Sequence, residues 1–77
     1  MAAPPDLSQV FGLQQGEVTT FDDQVGAGRV ATASGAIWPF HCTSITGGSR
    51  TIAVDTAVSF RVAPGPTGLE AVDVSPA

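Results

Sequence analysis

Residues 57–63 alternate without a break. Val58, Phe60 and Val62 are apolar, and Ser59 and Arg61 between them are polar. A period of two is the mark of a strand with one covered face. Pro64-Gly65-Pro66-Thr67-Gly68 follows at once, a run of residues that reverses the chain. Leu69–Val74 then returns, with Val72 and Val74 expected on one face. A chain that carries such a ribbon must cover its apolar side. No other stretch has the 3.6-residue period of an amphipathic helix, so the cover has to be more sheet.

Further strands are legible upstream. Glu17–Phe21 reads as the first, with Val18 buried, and Asp22-Asp23-Gln24 turns the chain. Gly28–Ala33 reads as the second, with Val30 and Thr32 on one face and Arg29 and Ala31 on the other. Ser34-Gly35 closes a tight hairpin. Ile37–Cys42 reads as the third, with Trp38 and Phe40 inward and Pro39 and His41 outward. A proline there suits an edge strand or a bulge. Thr43–Ser49 reads as a loop pivoting on Gly47-Gly48, and Thr51–Val54 as extended chain that turns at Asp55-Thr56. Short strands at even spacing predict an all-β fold, a small five-stranded antiparallel barrel whose closure removes the sheet edges. The expected inward set is Val18, Val30, Phe40, Val58, Phe60, Val62, Val72 and Val74. Residues 1–14 read as a flexible leader and 15–77 as the barrel. Gln14-Gln15-Gly16 reads as the turn that leads into it. In the leader Val10, Phe11 and Leu13 are the apolar grip. Either Phe11 lies on the domain surface or the leader is an untethered tail.

Composition narrows the function. Three arginines and no lysine against seven acids give a net charge of −4 in 77 residues. Tight nucleic-acid binding needs clustered positive charge, which is absent. A single cysteine, Cys42, forbids an internal disulfide and reads as a reduced, largely buried thiol. The N-terminus has neither the basic nor the apolar region of a secretory signal. The uncharged stretch between Arg29 and Arg50 contains His41, Pro39, glycines and hydroxyls, so it does not read as a membrane span. The expectation is a cytoplasmic protein with no membrane partner. Gly26-Ala27-Gly28 precedes a strand and not a helix, so it is no phosphate loop. His41-Cys42 has no second histidine or cysteine to complete a metal site. Asp22-Asp23 lacks the other oxygen ligands of a calcium loop. No set of acid, base and nucleophile assembles, so no enzyme, cofactor or metal is expected.

In series, residues 16–74 resemble the cold-shock domain, an OB-type barrel. The family opens Gly-x-Val-Lys-Trp-Phe-Asn, and this chain has Gly16-Glu17-Val18-Thr19-Thr20-Phe21-Asp22. The family motif Lys-Gly-Phe-Gly-Phe-Ile aligns with Val25-Gly26-Ala27-Gly28-Arg29-Val30. Val-Phe-Val-His-Phe aligns with Trp38-Pro39-Phe40-His41-Cys42, with one residue fewer in the preceding hairpin. The best match is at the end, where Val58-Ser59-Phe60-Arg61-Val62, Gly65-Pro66-Thr67-Gly68 and Glu70-Ala71-Val72-Asp73-Val74 follow the family's strand, turn and strand.

The resemblance implies single-stranded RNA or DNA as partner, bound by bases stacking on exposed rings of the second and third strands. Yet the positions that align with those rings hold Thr20, Ala27, Arg29, Pro39 and Cys42, and the motif lysine is Val25. Asp22, Glu70 and Asp73 replace amides. Losing about five stacking groups at ~1 kcal/mol each removes ~5 kcal/mol, and half of that is still one to two decades of affinity. The resemblance therefore implies weak or altered binding, with Phe21, Arg29, His41 and Arg50 as the candidate contacts. A guanidinium can stack on a base and pair with phosphate. The competing expectation is a module that binds another protein or itself, through the small, partly apolar surface of Thr20, Ala27, Ala31, Pro39 and Cys42.

Overall fold

The computed structural model describes residues 12–66 and 68–77. The chain is all-β, with five strands in one antiparallel sheet ordered β3-β2-β1-β4-β5. They are β1 (Gln14–Asp22), β2 (Ala27–Ala31), β3 (Ile37–His41), β4 (Ala57–Gly65) and β5 (Gly68–Pro76). Short 3-10 turns at Cys42–Ser44 and Thr46–Gly48 follow β3. No helix among the described residues is long and apolar enough to cross a membrane.

β1 starts earlier than the sequence suggests. Gln14, Gln15 and Gly16 are not a turn but paired strand, opposite Phe60, Ser59 and Val58. The strand then changes partner. Its first half pairs with β4 and its second half with β2, and the register slips between Val18 and Thr20. Thr19 is the extra residue, and its hydroxyl donates to the Arg29 carbonyl at 3.3 Å. Such a bulge sharpens the bend of a strand and shifts the phase of its side chains. Gly16 permits the close crossing, because a Cβ there would collide with the Ala31 carbonyl. Residues 1–11, including Val10 and Phe11 of the expected leader, lie outside the described residues.

The interior is a single cluster of Val18, Val30, Phe40, Ile45, Val58, Phe60, Val62, Ala71 and Val74. Phe21, Trp38, Cys42 and Ile52 pack against it from the side. Seven of the eight residues expected inside are there. Val72 is not: it is half-buried, while Ala71 and Val74 are fully buried. A second bulge is the cause. Ser59 pairs with Ser75 but Arg61 pairs with Val72, so β5 spends one residue more than β4 on the same span. Asp73 accommodates the slip with φ of 51°. Aspartate tolerates this left-handed geometry better than β-branched residues do. The alternation is reset there, and Val74 goes in while Val72 turns out.

The sheet curls until its end strands β3 and β5 lie near each other, but no ladder joins them. One parallel bridge, Ile45 to Val74, crosses the gap just past the end of β3. The closed cylinder expected from the sequence is thus an open one with a seam. Pro39 sits in the middle of β3 and has no N–H to offer a neighbour. The edge-strand position expected for this proline is the one it occupies.

The reset of phase at Asp73 gives a clean test. Val74→Ala should lower the unfolding free energy by about 2 kcal/mol, and Val72→Ala by less than ~1 kcal/mol. Urea titration of both variants would show equal losses if β5 alternated without a bulge.

Candidate nucleic-acid interface

Cross-strand partners in a sheet share a face, so the ladders fix which side chains stand together. Thr20 pairs with Arg29 and Arg29 with Pro39, which makes one row across β1, β2 and β3. Asp22, Ala27 and His41 form the next row, and Glu17, Ala31 and Ile37 the one on the other side. These rows make up the outer surface of the three strands. Val18, Val30 and Phe40 face the other way, into the core.

At the centre of this surface is a shallow hollow of about 270 Å³ lined by Thr20, Ala27, Gly28, Arg29 and Pro39. Short side chains make it: the floor is the backbone of β2, and Arg29 stands exposed beside it. Among the described residues Arg29 is the one permanent cation on the face, between Glu17 and Asp22 on the neighbouring strand. Asp22 is committed to the β1–β2 turn. Its carboxylate accepts from the Gln24 amide at 2.9 Å and the Val25 amide at 3.2 Å. Gly26, with φ of 74°, completes the turn, and a Cβ there would press on the Cys42 Sγ.

The four candidate contacts separate. Arg29 and His41 share the outer face, on adjacent strands and in adjacent rows. Arg50 is exposed in the loop after β3, beside a different hollow of about 180 Å³ that Cys42 and Ser49 also line. Phe21 turns inward. The bulge at Thr19 reverses its phase, so it is half-buried and its ring stacks on Phe40 with centroids 5.9 Å apart and planes 15° apart. Gly28 lies between them in the ladder, opposite Phe21 on one side and Phe40 on the other. The two rings meet over it because it has no Cβ. Trp38 packs against the core as expected, with its indole Nε1 buried and unpartnered. Phe40 and Phe60 are buried too, so among the described residues no phenylalanine or tryptophan ring stands free on the outer face.

The sequence reading missed one contact of this region. Glu70 of β5 is buried, 8 % exposed, and its Oε1 lies 3.5 Å from the His41 Nε2. The sequence reading takes Glu70 as an acid in place of an amide and gives it no partner. The only hint in the sequence is that Glu70 aligns with an amide in the family pattern. The reading also gave no sign of a hollow of about 330 Å³ between β1, β4 and the end of β2, where Glu17 is the one ionisable lining residue. Among the described residues no three His, Cys, Asp or Glu side chains converge.

No protein-family model matches the sequence, and no curated protein matches it.

A ring stacked on Phe40 at the side of the core differs measurably from one on the surface. Phe21→Ala should lower stability by about 2–3 kcal/mol. A ring lying free on the outer face would cost within ~0.5 kcal/mol, as surface substitutions do, and denaturant unfolding separates the two.

Proposed function

We propose that this chain is a cold-shock-like OB barrel that binds single-stranded RNA or DNA weakly in the cytoplasm, without enzymatic activity, through the outer face of β1, β2 and β3. One observation carries the reading. Thr20, Ala27, Arg29 and Pro39, four of the five positions that align with stacking rings of the family, stand side by side on that face around one hollow, while the fifth, Cys42, packs against the core and lines a different hollow. The face supports weak binding because among the described residues it offers no phenylalanine or tryptophan ring, and Arg29, its one permanent positive charge, is flanked by Glu17 and Asp22. Arg29 can stack on a base and hold its phosphate, and His41 is close enough to reach the next nucleotide.

A second reading draws on Ile37, which is 59 % exposed on the same face next to Ala31 and near Pro39. An apolar surface of this kind suits a protein partner or a second copy.

Titration of oligo-dT and oligo-U at low salt, read by the anisotropy of a labelled strand, distinguishes the two. Nucleic-acid binding predicts saturation at about micromolar protein or above, weakening as salt rises. Ala27→Phe with Arg29→Phe should tighten it by at least about tenfold, since each ring adds ~1 kcal/mol or more. No saturation by the native chain, and no gain in the folded double variant, would refute the proposal. Self-association in sedimentation of that sample would then favour the second reading.

A further inference from the structure

The seam between β3 and β5 has no backbone ladder, and it is crossed by side chains. We infer that His41 and Glu70 form a proton-dependent clasp that fastens the open edge of the sheet.

The geometry of the pair is specific. Glu70 lies on the β4–β5 ribbon opposite Ala63, and its carboxylate is folded back over Gly65. A Cβ at Gly65 would overlap the carboxylate, so glycine makes the space that holds it. The Glu70 side chain is 11 % exposed, whereas that of His41 is 60 % exposed. A carboxylate removed from water requires a partner. The charged partner within ion-pair distance among the described residues is His41, at 3.5 Å. The Ile45–Val74 bridge crosses the same seam further along, so β3 and the turn after it are held to β5 at two points.

Imidazole takes up a proton just below neutrality, and the carboxylate keeps its charge well below that. With His41 neutral, 3.5 Å is a loose contact. With His41 protonated it becomes an ion pair, stronger than a neutral hydrogen bond. The other charged groups around the pair are few. Arg29 stands one row away on the adjacent strand and opposes the imidazolium. Asp22 is in the His41 row but two strands off, with its carboxylate held by turn amides. Arg61 stands diagonally across β4 from Glu70, and Asp73 is exposed further along β5. The turns after β3 bring no charge.

An ion pair needs the imidazolium and the carboxylate together, so the clasp is fastened in mildly acid solution and slack in alkaline solution.

A double-mutant cycle on the full chain tests the clasp, with His41→Gln, Glu70→Gln and the double variant unfolded in urea at low salt. At about pH 5.5 the coupling should change the folding equilibrium by about two- to fivefold, the range of a partly exposed pair, and at about pH 8 it should fall to nothing. His41→Lys carries its charge at both values and should keep its coupling to Glu70 at both. The expected pattern needs no nucleic acid, so its outcome is independent of the binding experiment. Coupling that is equal at both pH values for the native pair, or absent at both, would overturn the inference. So would loss of coupling in the lysine variant at the higher pH alone.

Discussion

The bend in β1 organises the molecule. A single strand has to serve the β2–β3 hairpin with one half and the β4–β5 ribbon with the other, and these lie at an angle. The extra residue at Thr19 makes the change of direction. Gly16 lets the backbone pass close to Ala31 at the crossing. With the two ribbons folded over each other, the valines at positions 18, 30, 58, 62 and 74 enclose Phe40 and Phe60. In a chain this short and without a disulfide, that one cluster has to supply most of the stability.

The same bulge decides the character of the outer surface. It sends Phe21 inward to Phe40 and leaves Thr20 in the row with Arg29 and Pro39. One bulge thus decides both that Phe21 leaves the outer face and that it joins Phe40. The hollow of about 270 Å³ at Thr20, Ala27 and Pro39 lies over short side chains of that face.

Much of the fold was readable from simple alternation. Val58, Phe60 and Val62 marked β4 directly, and Trp38 and Phe40 alternate against Pro39 and His41 as strand geometry requires. The errors fall at the bulges. Nothing in Val18-Thr19-Thr20 or in Val72-Asp73-Val74 announces an extra residue. A slip of one position moves each later side chain to the opposite face, and so Val72 went out and Phe21 in. Gln14–Gly16 read as a turn because two glutamines and a glycine have little strand propensity, and pairing with β4 overrode it. The approach of Glu70 to His41 depends on how far the sheet curls, a tertiary property that no local pattern encodes.

An unzipped cylinder leaves two strands with unsatisfied backbone, and such borders invite neighbouring molecules to add on and grow into fibres. This chain carries obstacles at both borders. Pro39 interrupts one, and the kink at Asp73 and the terminal Pro76 distort the other. The acidic side chain of Glu70, set into the gap, would be stranded without water if a foreign strand slid in. Residues that fail to complete the closure thus serve as guards against polymerisation, a protection that a fully sealed barrel would not need.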